Sequence, residues 1–312
     1  MKNLIRRRSS ERSTVSIVRS TYSNVRQNIA DAISLAGSIN LSGTNRIVVK
    51  INLCDARTPD TGAITHPAFL DAVLEYLTRA FKDSEIVVVE SDGRVVLADL
   101  YVKWFGLLRV IEKWGAKWCN LSNEPCEMKK IRTPISVELP VPLLFEDSFF
   151  ITLPKLKTNI LTKITCCIKN QRGCNPMLNK QQFHKCLDKA IVAENLAAGV
   201  PDFCIVDGII GMGTVWGPSF GMPIHSDVIV AGKDEVAVDC VCSKIMGFDP
   251  KRIGHIRLAK KYGLGSTKYK IVGNQINEVK TDFKWNTVNA MLFGLAQRMR
   301  DRQFKSMRED DQ

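Results

Sequence analysis

Short runs of aliphatic and β-branched residues alternate along the chain with longer amphipathic stretches. The most compact apolar runs, which are typical of buried strands, cover residues 15–18, 47–51, 86–90, 203–207 and 228–231. Amphipathic stretches with helix-start and helix-stop residues predict helices at 24–36, 67–80, 234–246 and 285–302. This order of strands and helices predicts an α/β fold with a mostly parallel central sheet flanked by helices.

The middle and late parts of the chain add further elements to this pattern. Residues 97–118 are predicted to be helical, and prolines interrupt a strand-rich stretch at 137–153, which predicts a smaller mixed β-containing subregion. The basic stretch before Pro201 predicts one or two helices. A glycine-rich loop is predicted directly after residue 207, and a further helix from Asp249 or Pro250 to about Gly263. Thr65 is the predicted N-cap of the helix at 67–80.

The domain organisation follows from these elements. Residues 1–12 are predicted to form a flexible basic tail. Residues 13–268 are predicted to form a single α/β domain with a soft internal boundary near 125–142. Residues 269–312 are predicted to contribute a strand, a helix and a charged carboxyl-terminal tail.

Composition narrows the class of protein. Of 312 residues, 45% are hydrophobic, which is ordinary for a globular protein with a full core. No apolar run is long enough to cross a bilayer, and the first residues lack the apolar stretch of a secretory signal. Ten cysteines without a compact framework indicate reduced thiols. We therefore expect a cytoplasmic protein with no membrane partner.

The positive charge is concentrated in two places. The net charge is +12, and residues 1–50 carry 9 basic and 2 acidic side chains, while residues 151–200 carry 8 and 2. Residues 153–184 contain no acidic side chain at all. Because like charges a few residues apart repel, a one-sign stretch with Asn, Thr and Gly among its lysines indicates an anion-binding site.

Polar residues follow the predicted strands at the ends where α/β proteins bind ligands. Lys50 and Asn52 end the strand at 47–51, and Thr65 lies in the loop that follows it. Asp207 ends the strand at 203–207, where a carboxylate can be a general base or an ordinary turn residue. The next glycines are Gly208, Gly211, Gly213, Gly217 and Gly221, with neither a Walker lysine nor a dinucleotide-binding fingerprint; of these, Gly208, Gly217 and Gly221 are site candidates.

Two further residues are candidates for acid–base or supporting roles. His184 closes the basic segment and titrates near neutrality, although an exposed helical histidine is the more frequent explanation. Asp239 lies in an apolar helix, where a carboxylate is costly unless it is paired. Cys166, Cys167, Cys174 and Cys186 fit neither zinc nor ferredoxin spacing, so we predict no metal site and no iron–sulfur cluster in this chain.

These residues together resemble the domain-of-unknown-function 362 family over residues 14–265. The matching positions are Lys50-Ile51-Asn52, Thr65-His66-Pro67, the run from Leu153 to Asn159, Lys169-Asn170 with Gly173, His184, Asp207-Gly208, Gly217-Pro218, Gly221, Ala237-Val238-Asp239 and Met246-Gly247.

The chain departs from the family pattern at two positions. Asn159 replaces an expected histidine, which argues against a metal or acid–base role there, and Ile51 replaces a proline. Many relatives look fused to a ferredoxin-like module, which has no counterpart here. The family is similar, more distantly, to the amino-terminal domain of nickel-pincer lactate racemase, and that similarity implies a site for small hydroxy acids by fold analogy alone.

The first functional hypothesis is a cytoplasmic enzyme that acts on a small carboxylate or phosphate metabolite by proton transfer or redox chemistry. Its expected site residues fall into three groups. Lys155, Lys157 and Lys169 would hold negative charge. Lys50, Asn52, Thr65, Thr158, Asn170 and the glycines Gly173, Gly208, Gly217 and Gly221 would bind or orient the substrate. Asp207 or His184 would move a proton, supported by Asp239.

Two alternatives stay open at this point. One is a protein that binds nucleic acid or an acidic partner through the basic tail and the lysine-rich segment. The other is a redox partner of an external iron–sulfur protein. The cofactor, the substrate and the oligomeric state are not specified by the sequence.

Overall fold

The computed structural model of the chain describes residues 12–41, 43–93, 96–213 and 221–283. The predicted basic tail, apart from Arg12, lies outside the described residues. The predicted helix at 285–302 and the site candidate Gly217 also lie outside them.

One large sheet organises the molecule. The strands of the described residues are β1 (Ser13–Arg19), β2 (Arg46–Lys50), β3 (Glu85–Glu90), β4 (Lys117–Asn120), β5 (Cys126–Ile131), β6 (Val137–Pro142), β7 (Phe149–Thr152), β8 (Lys155–Asn159), β9 (Lys163–Thr165), β10 (Phe203–Gly213), β11 (Met222–Gly232) and β12 (Tyr269–Gly273). The large sheet has the order β12-β1-β11-β10-β7-β2-β3-β4, with β8 beside β10 and β9 beside β8.

Most strand pairs of this sheet are parallel, as predicted. β7, β2, β3 and β4 run parallel to their neighbours, and β10 runs parallel to both β7 and β8. The exceptions are β11, which pairs antiparallel with β1 and β10, and the β8–β9 hairpin. β5 and β6 form a separate two-stranded antiparallel sheet, which is the predicted smaller β subregion. The predicted fold class is confirmed.

Helices cover both faces of the large sheet. They are α1 (Val25–Leu35), α2 (Pro67–Ala80), α3 (Ala98–Trp104), α4 (Leu107–Lys113), α5 (Cys167–Asn170), α6 (Leu187–Ala198), α7 (Glu235–Ile245), α8 (Gly254–Lys261) and α9 (Ile276–Val279). Helices α1 to α4 pack on one face of the sheet in one apolar core cluster. Helices α5 to α8 pack on the other face in a second cluster. Because side chains alternate along a strand, Ile205 lies in the first cluster and Val206 in the second.

The lysine-rich segment is the main difference from the predicted elements. It begins with two strands, β8 and β9, where the sequence predicted a helix, and only then forms the short helix α5. Alternation of Lys155 and Lys157 with Leu156 is a strand pattern, but lysine at two buried positions conceals it. Leu156 packs in one core cluster, whereas both lysines are fully buried among polar partners.

Two smaller predictions were also wrong. The first part of the expected loop after residue 207 is instead the second half of β10, because Gly208, Gly211 and Gly213 continue the ladder with β11. Residues 214–220 of that loop lie outside the described residues. A side chain would not fit at Gly208, since an added Cβ would lie 2.8 Å from Leu156 Cδ1 and from the Val228 carbonyl oxygen.

The N-cap of α2 is His66 rather than Thr65. Nδ1 of His66 accepts a hydrogen bond from the Ala68 N–H at 3.1 Å. The Thr65 hydroxyl instead accepts a bond from the Asn52 N–H and contacts the Leu153 carbonyl oxygen, so it joins two loops.

Of the helices that the structure describes, not one has the length and apolar character needed to cross a membrane.

Candidate functional site

A cavity of about 280 Å³ opens beyond the carboxyl ends of β2 and β3. The segments after these two strands form one wall, and the segment from β9 through the 3₁₀ turn at 180–186 forms the other. The lining residues are Asn52, Leu53, Cys54, Glu90, Ser91, Asp92, Gly93, Val96, Lys157, Thr165, Lys169, Asn170, Arg172, Gly173, Leu178, Lys180, Gln181 and His184. This is the edge of a parallel sheet at which α/β proteins place their ligands.

A buried ion pair forms the floor of the cavity. Nζ of Lys50 lies 2.7 Å from Oε2 of Glu90, which also accepts the Leu53 N–H, while Oε1 accepts the Ser91 N–H. Gly173 packs against the pair so closely that an added Cβ would lie 2.0 Å from Glu90 Oε1 and 2.3 Å from Lys50 Nζ. Lys50 is therefore neutralised beneath the cavity, and Gly173 is a glycine because of its contact with this pair.

A chain of amide groups runs along the base of the cavity. Nζ of Lys157 donates to Asn52 Oδ1 at 2.6 Å, and Asn52 Nδ2 donates to Asn170 Oδ1 at 2.9 Å. Asn170 Nδ2 in turn donates to the Thr152 hydroxyl at 2.9 Å. Each amide has its donor and acceptor roles fixed by its neighbour, so the side chains of Asn52 and Asn170 are held in single orientations.

Lys157 is fully buried and its ammonium group has three acceptors. Besides Asn52 Oδ1, these are the Ala63 carbonyl oxygen at 2.7 Å and Cys54 Sγ at 3.1 Å. A lysine ammonium has three N–H donors. Lys157 thus supplies positive charge to the cavity, but its hydrogen bonds are directed at the protein.

Lys169 differs from the other lysines of the segment. It lies on α5, lines the cavity, and is only partly buried; its Nζ donates to the Thr165 hydroxyl at 3.3 Å. Within the described part of the chain it forms no ion pair. Burial, reinforced by the nearby charges of Arg172 and Lys157, lowers the pKa of Lys169 to about 7.

The same wall contributes two more cations. Lys180 donates to the Ser91 hydroxyl at 2.7 Å, and burial lowers its pKa to about 8 against the attraction of Glu90 and Glu194. Arg172 bonds Glu194 at 3.0 Å and the Lys180 carbonyl oxygen at 3.1 Å. His184 is exposed at the cavity rim, on the 3₁₀ turn before α6.

Lys155 and Asp207 belong to a second network that does not line the cavity. Nζ of Lys155 lies 2.9 Å from Asp207 Oδ2, and both side chains are fully buried. The Tyr22 hydroxyl contacts Asp207 Oδ1 at 3.2 Å, and the Tyr22 ring stacks on His66 at 3.8 Å between centroids. Burial lowers the pKa of Lys155 and, with Asp207 alongside, raises that of Tyr22. This network joins β8 and β10 to the segments before α1 and α2.

Asp239 is a buried cap for helix α5. Its Oδ1 accepts the Cys167 N–H at 2.7 Å and its Oδ2 accepts the Ile168 N–H at 3.2 Å. Burial raises the pKa of Asp239 well above its usual range. It supports the helix that carries Lys169 and does not line the cavity.

The cysteines considered in the sequence are divided among different environments. Sγ of Cys166 and Sγ of Cys167 lie 3.9 Å apart, and with Asp239 they form a buried group whose ligand atoms all lie within 4.8 Å of one another. Cys174 instead contacts Gln171, in another cluster of the core.

The remaining site candidates have structural surroundings away from the cavity. Thr158 is buried on β8 opposite Ile164. Asn159 Oδ1 accepts bonds from the Leu161 and Thr162 N–H groups and so holds the β8–β9 turn. The Gly221 carbonyl oxygen accepts a bond from Arg57 at 2.8 Å.

Sequence reasoning missed several residues that line the cavity. Glu90 ends β3 and Ser91 and Asp92 follow it, on the wall that faces the lysines, whereas Thr165 ends β9 on the wall that carries them. The rule that placed Lys50 and Asn52 at the end of β2 applies equally to Glu90 and Ser91 at the end of β3. That signal was present in the sequence, whereas the position of Thr165 depends on the unpredicted strand β9.

The comparisons with known proteins give one structural likeness and one family. A comparison with curated proteins gives no significant match. The lactate racemase apoprotein from Thermoanaerobacterium thermosaccharolyticum is similar in structure, with a TM-score of 0.44 and 15% identity over 75% of this chain and 57% of that one. The chain therefore spans little more than half the length of that protein. The model of the family described as "Domain of unknown function (DUF362)" matches residues 47–244. That range contains the cavity and most of the parallel sheet, and the chain belongs to this family.

Proposed function

We propose that the cavity binds a small anionic metabolite, a carboxylate or phosphate compound, and that the protein is an enzyme acting on it by proton transfer or redox chemistry. The single observation that carries the proposal is Lys169. This lysine lines the cavity with its ammonium group bonded to a neutral hydroxyl, and among the described residues it forms no ion pair; Asp188 attracts it only from beyond ion-pair distance. A bound anion would stabilise a desolvated cation that has no ion-pair partner.

The charges around Lys169 support an anionic ligand. Lys157, Lys169, Arg172 and Lys180 line the cavity, against the two carboxylates of Glu90 and Asp92. Glu90 is already neutralised by Lys50, which lies beneath it. Arg172 is likewise paired with Glu194, and Lys157 directs its hydrogen bonds at the protein. Lys169 and Lys180 therefore supply most of the positive charge that a ligand can contact, and a low local dielectric strengthens its attraction for an anion.

The burial of the lysine-rich segment favours a small ligand over a nucleic acid. Lys155 and Lys157 are fully buried, one paired with Asp207 and the other bonded to Asn52. A phosphate backbone is neutralised by lysines that lie along a surface, and these two do not. The nucleic-acid alternative then depends on the tail, almost all of which lies outside the described residues.

Two groups are placed to move protons in the cavity. His184 lies at its rim, and Lys169, with a pKa of about 7, exists in both protonation states near neutrality. Asp207, which the sequence suggested as a base, is paired with Lys155 and does not line the cavity. We therefore assign proton transfer to His184 and Lys169.

Ligand-induced thermal stabilisation across a panel of carboxylates and phosphates tests the proposal. The wild-type protein should be stabilised by at least one class of anion, and Lys169→Met should lose most of that effect. Lys260→Met is the matched control, because Lys260 is an exposed lysine of α8 that does not line the cavity. Equal stabilisation of wild type and Lys169→Met, or none across the panel, would overturn the assignment.

A further inference from the structure

We propose that Lys169 is a nucleophile that forms a Schiff base with a small anionic aldehyde or ketone, such as a 2-oxo acid, bound in the cavity. This inference rests on the proposed function of the cavity as an anion site, and it names the reactive group that the substrate must carry.

The contacts of Lys169 separate it from the structural lysines around it. Lys50 is paired with Glu90 and Lys155 with Asp207, at 2.7 Å and 2.9 Å. Lys157 has all three of its N–H donors directed at acceptors of the protein. Lys169 has one weak bond, 3.3 Å to the Thr165 hydroxyl, and its side chain lines the cavity. A partly desolvated amine without an ion pair, on a side chain that lines a cavity, is the arrangement required of a nucleophilic lysine.

The free amine of Lys169 is well populated at neutral pH. Its pKa of about 7 follows from burial and from the neighbouring charges of Arg172 and Lys157. An exposed lysine with a pKa of about 10.4 has roughly 10³-fold less free amine at the same pH. The surrounding cations thus have two effects. Together with burial they lower the pKa of the Lys169 amine, and they attract the negatively charged part of the substrate.

The cavity contains the groups that this reaction requires. Nζ of Lys169 attacks the carbonyl carbon, and a bond between nitrogen and carbon forms as the carbonyl oxygen takes up a proton. Loss of that oxygen as water then gives the imine, with both amine protons of the nitrogen transferred to the departing water. His184 at the rim is placed to carry these protons, and the Thr165 hydroxyl orients the amine. No oxidant or reductant is needed.

The segment around Lys169 is suited to hold the amine in place. Helix α5 is capped by the buried carboxylate of Asp239, which accepts two of its N–H groups. Asn170, the next residue, is fixed by Asn52 and Thr152. A nucleophile mounted on a segment held at both sides keeps its position when the substrate binds.

Reductive trapping tests this inference directly. The protein is incubated with glyoxylate, pyruvate or glyceraldehyde phosphate in the presence of cyanoborohydride, which reduces an imine to a stable secondary amine. The modified lysine is then located by peptide mass spectrometry. We expect labelling at Lys169 at least about tenfold faster than at exposed Lys260, because of its larger fraction of free amine. Lys169→Arg should remove the cavity label while keeping positive charge, and Lys260→Arg should leave it unchanged.

The result separates the two proposals. Stabilisation by unreactive anions such as acetate or phosphate, together with labelling spread evenly over exposed lysines, would overturn the Schiff base and leave the anion site standing. Absence of both stabilisation and selective labelling would overturn both. Selective labelling of wild type that disappears in Lys169→Arg, with intact folding by circular dichroism, would support both.

Discussion

The Nζ of Lys50 lies 2.7 Å from Oε2 of Glu90, and the two side chains are 0% and 5% exposed, directly beneath the candidate cavity. Glu90 also accepts the N–H groups of Leu53 and Ser91, so the pair holds the segments that follow β2 and β3. Both strands end at the cavity floor. The geometry of the site therefore depends on a charge pair of which Glu90 lines the cavity and Lys50 does not.

Removal of one partner should be strongly destabilising. We expect Lys50→Met to lower the free energy of unfolding by about 3–5 kcal/mol, because Glu90 would be left charged and unpaired in the interior. Chemical denaturation measures this loss. Lys117→Met is the control, since Lys117 pairs with Glu85 on the surface and should contribute no more than about 1 kcal/mol. A loss at Lys50 as small as that at Lys117 would show that the pair is not buried as described.

The contact of Gly173 with this pair gives a second expectation. Gly173→Ala places a Cβ 2.0 Å from Glu90 Oε1, so either the pair or the turn must move. We expect a loss of about 1–3 kcal/mol in unfolding free energy, and weaker stabilisation by anions. Gly93→Ala in the opposite cavity wall is the matched control, because its Cβ would meet Val96 at an ordinary 3.7 Å. Equal behaviour of the two variants would contradict the close packing at Gly173.

Anion affinity should depend on pH through Lys169 and Lys180. Their pKa values are about 7 and about 8 in the folded protein. A bound anion favours their charged forms, so affinity should be greatest below about pH 7 and should fall as the pH rises through 7 and then 8. Isothermal titration calorimetry at several pH values measures this fall, and proton uptake on binding accompanies it. Lys169→Met should remove the part of the fall near pH 7; an unchanged profile in that variant would assign the dependence to another group.

The same shift has an opposite effect on the stability of the unliganded protein. Lys169 has a folded-state pKa of about 7, below the unfolded value of 10.5. Between these values the unfolded state binds the extra proton, so stability should rise with pH above 7. We expect the free energy of unfolding of wild type to increase relative to that of Lys169→Met between pH 7 and 9. If the difference between the two proteins is constant with pH, the pKa of Lys169 is not lowered.

Helix α5 should depend on its carboxylate cap. Asp239→Ala removes the acceptor of the Cys167 and Ile168 N–H groups, which are buried, and should cost about 1–3 kcal/mol. Asp239→Asn keeps one acceptor oxygen and should lose less. Denaturation of both variants, together with the labelling rate at Lys169, tests whether this cap also positions the amine. A normal labelling rate in a folded Asp239→Ala protein would show that Asp239 contributes to stability but does not position the amine of Lys169.

The sheet was predictable because its strands are short, apolar and β-branched. The run at 47–51 and the run at 86–90 correspond to β2 and β3 within one residue, since a strand covered on both faces has no polar positions to confuse the pattern. The helices α1, α2 and α7 were equally clear from their amphipathic spacing and end residues. For these elements local sequence and tertiary environment agree.

The strand β8 was not predictable, because its lysines are buried by partners far away in the sequence. Lys155 meets Asp207, and Lys157 meets Asn52 and Ala63. A pattern of polar residues indicates solvent exposure when each residue is considered alone. For the same reason, the cluster of lysines in the sequence indicated where the cavity lies, but it predicted too many lysines in contact with a ligand. Of the three lysines expected to hold the anion, Lys155 does not line the cavity, and Lys157 directs its bonds at the protein.

The position of β1 in the sheet has a consequence for how the chain folds. β1 pairs only with β11 and β12 among the described strands, and its Ser16 contacts Ala231 across 215 residues of sequence. Of the described strands, β1 is synthesised first, and its partners β11 and β12 are the last two to be synthesised. Long-range closure of this kind slows folding and exposes an unpaired edge in the meantime. We expect nascent chains that end before β11 to depend on chaperones, although they already contain every residue of the cavity.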